Sequence, residues 1–280
     1  MSDIRRASRF ADARPVARPR RFDADRRNSL LAIAALAIMV SGALAWSATK
    51  VRLEGATRRE AGSMCLAGTA PPVANLVLVD ATDPLARNSG PRFRALMSKV
   101  REATPKNGRL TVATFDGDLG HPLQVRFDAC SPGRGRDANA LVEGPRAAER
   151  RYREGFQKAL DGVSRALADK TSADASPIAE QITRAANDPA VPWRGERRVL
   201  TLLTDGLQNT PGMSPYGGDR FALPPAPAGL LTGVTVDYIE LANPRSSARQ
   251  TPAVRQAWAK WLADAGAEVR MFAPGFPPPA

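Results

Sequence analysis

The stretch Asn75-Leu-Val-Leu-Val-Asp-Ala-Thr-Asp-Pro-Leu85 decides how the rest of the chain reads. Leu76, Val77, Leu78 and Val79 are consecutive aliphatic residues, two of them β-branched, and suit a strand buried on both faces of a parallel sheet. Asp80 falls where such a strand leaves the sheet, and in open α/β sheets ligands bind at that carboxyl edge. A second run, Val199-Leu-Thr-Leu-Leu-Thr204, ends the same way in Asp205-Gly206. Two buried strands that deliver aspartates to one edge make a site, expected to suit a cation.

Around this stretch lies a chain of 280 residues, long enough for one domain of ordinary size with additions. Hydrophobic residues are 43% of it, so a sizeable core is expected, while 24 Pro and 22 Gly imply long irregular connections. The net charge is +12. Residues 1–29 hold nine Arg against four Asp, or +5, which leaves +7 spread over residues 30–280. That spread, without a dense Lys/Arg stripe interleaved with aromatics, points away from nucleic acid and to a basic globular surface.

Residues 1–29 have too few large apolar groups to offset the entropy of ordering and are expected to be a disordered basic tail. Leu30–Ala48 is nineteen residues without a charge, about 30 Å as a helix, which matches a hydrocarbon core. Trp46 stands near its far end, where interfacial aromatics are favoured. The Arg-rich flank should stay cytoplasmic and the remainder be exported. The expectation is a transmembrane signal anchor over residues 30–49 in a bacterial inner membrane, with the C-terminal domain periplasmic. A cleaved signal peptide, with small residues at Ala43 and Ala45, is the alternative.

Residues 50–72 read as a stalk and residues 274–280 as a Pro-rich tail. Between them, over residues 73–273, the pattern alternates. After Asp80, Phe93, Leu96, Met97 and Val100 recur at helical spacing over Arg92–Ala103. Leu110–Phe115 and Leu123–Phe127 are strands joined by a short turn, hence an antiparallel hairpin. Arg146–Lys170 is a long helix with Tyr152, Phe156, Leu160, Val163 and Leu167 on one stripe. Ser176 is read as the N-cap of a following helix, with Glu180 completing a capping box. Arg197–Thr204, Val234–Leu241 and Glu268–Phe272 are strands, with a helix over Pro252–Ala265 and a poor helix near Arg220 in the Gly206–Gly233 loop. Strands alternating with helices mean a mostly parallel, helix-covered sheet.

Cys65 and Cys130 are an even pair on the exported side, the material for a disulfide in an oxidising compartment. They are too few for a zinc site of the usual four ligands. The sole histidine, His121, reads as a turn residue, which leaves almost no material for a Ser-His-Asp or Cys-His hydrolase.

The order strand–Asp80, hairpin, Ser176 at a helix start, strand–Asp205-Gly206 and two further strands resembles the von Willebrand factor A (vWA) family over about Val73–Phe272. The resemblance implies an α/β, Rossmann-like three-layer sandwich, with a mostly parallel six-stranded sheet and one antiparallel edge strand. It also implies a metal-ion-dependent adhesion site. In the family the first strand ends in Asp-x-Ser-x-Ser, and here the same place reads Asp80-Ala81-Thr82-Asp83-Pro84. Asp80, Thr82, Ser176 and Asp205 then match the ligand set, for Mg²⁺ with Mn²⁺ or Ca²⁺ as alternatives. Mg²⁺ is a hard ion that takes oxygen ligands and keeps several waters. Pro84 replaces the third hydroxyl residue, so the motif is degenerate, and Asp83 is the substitute oxygen donor. The family topology places Cys130 and the segment holding Cys65 at the edge opposite the aspartates, which permits a Cys65–Cys130 bridge.

Read this way, the protein is a membrane-anchored binding module for a protein partner and not an enzyme. Two alternatives stay open. One is a Mg²⁺-dependent phosphoryl-transfer hydrolase with Asp80 as nucleophile, disfavoured because Thr82 stands where a second aspartate would serve as acid/base. The other is a scaffold whose metal site is vestigial.

Overall fold

The computed structural model describes residues 31, 33, 35–46, 58–82, 90–138, 144–167, 173, 175–211, 213–214 and 221–272. The chain divides into two compact units, Met1–Gly55 and Ala56–Ala280.

In the first unit, residues 35–46 form helix α1. Its large apolar side chains are solvent-facing, with Ile38 73% and Trp46 71% exposed. The ends of the expected 30–49 span lie outside the described residues, as do the tails 1–30 and 273–280. Among the described residues no helix is long and apolar enough to cross a membrane.

The second unit is built on one sheet of six strands: β1 (Val73–Asp80), β2 (Arg109–Phe115), β3 (Gln124–Cys130), β4 (Arg197–Thr204), β5 (Val234–Glu240) and β6 (Glu268–Phe272). Their spatial order is β3-β2-β1-β4-β5-β6. All pairings are parallel except β2–β3, which is the expected hairpin and leaves β3 as an antiparallel edge strand. Helix α2 (Gly90–Ala103) follows β1; α3 (Pro145–Arg151), a π-helical segment (Tyr152–Gln157) and α4 (Lys158–Ala166) follow β3; α5 (Ile178–Asn187) precedes β4; and α6 (Pro252–Asp264) precedes β6.

The central position of β1 follows from its composition. Leu76, Val77 and Leu78 are fully buried, because alternate residues feed two separate cores. Leu76 and Leu78 pack with Ile178 and Ile182 of α5 and Trp258 and Trp261 of α6. Val77 and Val79 pack with Phe93 and Met97 of α2 and with Phe156 and Leu160 of the α3–α4 run. Helices on both faces of a mostly parallel sheet make three layers.

The long helix expected over Arg146–Lys170 is interrupted at Tyr152–Gln157 by π-type hydrogen bonding, and residues 168–170 lie outside the described set. Residues spaced by four drift around an α-helix of 3.6 residues per turn. A wider turn holds Tyr152 and Phe156 both against the core, at 3% and 0% exposure. No helix forms in the described part of the 206–233 loop, and residues 215–220, around Arg220, lie outside it.

The parallel strands all begin at one edge, termed here the basal edge, and β3 ends there. Cys65 and Cys130 are joined by a disulfide at this edge, with Cα atoms 4.7 Å apart. Around the bridge, the Cys130 N–H donates to Ser63 O at 2.7 Å, Glu196 N to Pro71 O at 2.9 Å, and the Arg59 guanidinium to Met64 O at 2.7 Å and Asn107 Oδ1 at 3.1 Å. Residues 58–72 are thereby fastened to the domain before β1 begins.

Candidate functional site

The strands β1, β2 and β4 end together at the carboxyl edge, where Asp80 is 6% exposed. Its Oδ1 accepts the backbone N–H of Thr82 at 3.0 Å and the Thr82 hydroxyl at 2.6 Å. Its Oδ2 accepts the Ser176 hydroxyl at 3.2 Å and the Thr204 hydroxyl at 2.8 Å. Three hydroxyl residues from three separate parts of the chain thus converge on one carboxylate.

Thr82 Oγ1 and Ser176 Oγ lie 3.1 Å apart. A hydroxyl carries one proton and two lone pairs. The Thr82 hydroxyl stands within hydrogen-bond distance of both Asp80 Oδ1 and Ser176 Oγ, with the shorter contact to Asp80, and the Ser176 hydroxyl donates to Asp80 Oδ2. Neighbouring oxygen ligands of an octahedral Mg²⁺, each at ~2.1 Å, stand about 3.0 Å apart. The pair fits that spacing.

Ser176 reaches this place by a route different from the expected one. It is not a helix cap: the N-cap of α5 is Pro177, without a side-chain hydrogen bond. The expected Ser176–Glu180 capping box is absent because the Ser176 hydroxyl is committed to Asp80. A glutamine from another loop serves instead. Gln208 Oε1 accepts the Ala179 N–H at 3.0 Å, and its Nε2 donates to Glu180 Oε2 at 2.8 Å. Backbone bonds between Ser176 and Asn209, in both directions, hold the α5 approach against the loop after β4.

Asp205 enters one residue beyond Thr204 and is 7% exposed. Its Oδ1 accepts the Leu207 N–H at 2.9 Å and its Oδ2 accepts Asn243 Nδ2 at 2.7 Å. Gln250 Nε2 donates to Asp205 O at 3.1 Å and to Leu241 O at 2.7 Å, while its Oε1 accepts the Asn243 N–H at 2.8 Å. Asp80, Thr82 and Ser176 therefore meet directly, and Asp205 stands at the same rim with its carboxylate held by Asn243. Asp83 and Pro84 lie outside the described residues. Among the described residues no group of three or more His, Cys, Asp or Glu is placed to hold a metal ion. The cluster here is of another kind, hydroxyls around carboxylates.

Beneath the rim, Gly206 has φ +76°, and its O accepts the Trp258 indole N–H at 2.8 Å. A Cβ at Gly206 would stand 2.2 Å from the Tyr238 phenol oxygen, so no other residue fits there as the structure stands. Burial pushes the Tyr238 phenol well above its ordinary range, and Glu240, Asp205 and Asp80 push it the same way. Burial also raises Glu240, against the opposing hydrogen bond and charge of Arg255, 3.0 Å away.

The fold is α/β, a mixed six-stranded sheet with one antiparallel strand between layers of helices. No family model and no curated protein matches the sequence. Solved structures do. An aerotolerance-related membrane protein from Bacteroides fragilis, carrying multiple mutations to serines, is 16% identical over 61% of this chain and 69% of its own, with a TM-score of 0.34. The conserved hypothetical protein BatB from Bacteroides thetaiotaomicron is 13% identical over 72% of this chain and 89% of its own, with a TM-score of 0.38. Proximal thread matrix protein 1 from the mussel byssus is 15% identical over 73% and 42%, with a TM-score of 0.36.

Thr204, Asn243 and Gln250 are the site residues that sequence reasoning missed. Thr204 left a trace, a polar residue closing an aliphatic strand directly before an aspartate. Asn243 and Gln250 left none, since their partners are 38 and 45 residues away.

Proposed function

We propose that the protein is a membrane-anchored, exported vWA-like binding module that engages a protein partner at the carboxyl edge of its sheet through a divalent cation. The observation that carries this reading is the pair Thr82 Oγ1 and Ser176 Oγ, 3.1 Å apart and both hydrogen-bonded to Asp80. Their remaining lone pairs are hard donors of the sort Mg²⁺ takes, with Mn²⁺ or Ca²⁺ as alternatives. Thr82 and Ser176 would hold the ion directly, and Asp80 and Asp205 would supply the charge beside it. When bound, the ion would supply an electrophilic position for an acidic group on the partner. Anchoring is supported by the uncharged run over residues 30–48, its Arg-rich flank and the exposed apolar side chains of α1.

The test is calorimetric titration of the Ala56–Ala280 unit with Mg²⁺ and Mn²⁺, beside Asp80→Ala and Ser176→Ala. Binding that both variants abolish is the expected result. One observation favours the vestigial scaffold instead: Asp80 already accepts four hydrogen bonds, about the full capacity of a carboxylate. Absence of any heat from the wild type, with partner capture indifferent to EDTA, would decide for the scaffold.

A further inference from the structure

The basal edge, opposite the aspartates, collects cations from three distant parts of the sequence. Arg58 precedes β1, Arg146 and Arg150 lie in α3, and Arg194 and Arg197 stand before and at the start of β4. All five are exposed, and none makes an ion pair among the described residues. The connections that carry them are tied together. Arg59 bonds Asn107, Lys106 Nζ donates to Asp137 O, Glu149 Oε2 accepts the Gly135 N–H, and Glu196 N donates to Pro71 O. The acidic groups near this edge are Glu60, Glu102, Asp128, Asp137, Glu149, Glu154, Asp188, Glu196 and Glu268; Asp128 is paired with Arg109, and Glu102 with Arg101 and Arg134. Glu149 is engaged by Arg153, and Asp137 by Arg136 and the Arg134 N–H. The surface that results is rigid, broad and basic.

The chain leaves the domain at this same edge. Residues 49–57, nine in number, separate the uncharged run from Arg58, and fully extended they reach at most about 30 Å. If the run is held in a bilayer, that length is the farthest Arg58 can stand from it. Cations in that position are drawn to anionic lipid within a screening length of ~10 Å.

We propose that the basal edge seats the domain on a bilayer surface carrying anionic phospholipid, through Arg58, Arg146, Arg150, Arg194 and Arg197, and so turns the Asp80 rim outward. The orientation rests on the anchored reading above; the lipid contact is a property of the domain alone. Alkaline extraction of the full chain from membranes tests the anchor separately, so each reading fails on its own.

The test is flotation of the Ala56–Ala280 unit, which is compact and has its own cores, with two kinds of vesicle. One is phosphatidylcholine alone, the other phosphatidylcholine and phosphatidylglycerol in equal parts. Binding to the anionic vesicles only, weakened by salt, is expected. Changing the five arginines to Glu should lower the bound fraction at least about tenfold. The milder pair Arg146→Gln with Arg150→Gln should lower it severalfold and leave the thermal melt in place. Arg245→Glu with Arg249→Glu, on the connection after β5, should leave binding unchanged. Equal binding to neutral vesicles, or arginine variants that float like the wild type, would overturn the proposal. Capture by heparin without any vesicle binding would overturn it too, and would mark the edge as a site for a soluble polyanion.

Discussion

The Thr204 hydroxyl donates to Oδ2 of Asp80 at 2.8 Å, across two neighbouring parallel strands whose register pairs Val79 with Leu203. A residue that ends one strand is thus satisfied by the residue that ends the next. Thr204→Val keeps the shape and removes the donor. Hydrogen bonds to charged groups are worth about 1.5–3 kcal/mol, so a loss of that order is expected in urea unfolding of the metal-free domain. Unchanged stability would mean that Asp80 finds a replacement donor.

Gly206 and Tyr238 form a second coupled pair. Gly206→Ala forces a methyl group to within 2.2 Å of the phenol oxygen and requires Ala at φ +76°, so strong destabilisation is expected. Tyr238→Phe alone should be close to neutral or stabilising, because the phenol oxygen is buried with no hydrogen-bond partner. The double variant should recover part of the loss, leaving the cost of the positive φ. A double-mutant cycle by chemical denaturation reads the coupling directly.

The disulfide closes a loop of 65 residues, which in the chain-entropy model is worth about 4 kcal/mol. Cys65→Ser with Cys130→Ser should lower stability by that order. It should also make the segment before β1 the first place cut in limited proteolysis, since its remaining ties are a few hydrogen bonds. Mass spectrometry of the first fragments checks this.

His121 is the sole histidine, so its proton resonances titrate without overlap. The Asp116 carboxylate, 3.0 Å from Nδ1, raises its pKa above the ordinary 6.5, with a further push from Asp118. The hairpin contact is therefore fully present below 6.5, the unfolded value, and is lost as pH climbs through the raised folded value. An NMR titration should place the midpoint above 6.5 in the wild type and lower in Asp116→Asn.

The sheet could be read from sequence because its central strands are aliphatic on both faces, a composition that suits little else. The edge hairpin followed from the shortness of the Asp116–Gly120 turn. Ser176 stands beside Asp80 and is not the helix cap its place suggests, since Ser before Pro at a helix start is a local pattern and its hydroxyl partner is 96 residues away. The π-segment was hidden because the spacing of Tyr152, Phe156 and Leu160 reads equally well as α-helix. The Asn243–Gln250 support of Asp205 depends on how the connection after β5 folds back, which no period or spacing encodes.

The Cys65–Cys130 bridge also has a mechanical meaning. Tension arriving along the chain from its N-terminal side reaches Cys65 before it reaches β1. There it passes through a covalent bond into the end of β3, an outer strand, so residues 66–72 and the central strand are spared the pull. A pull from the N-terminal side is thus borne first by the border of the sheet.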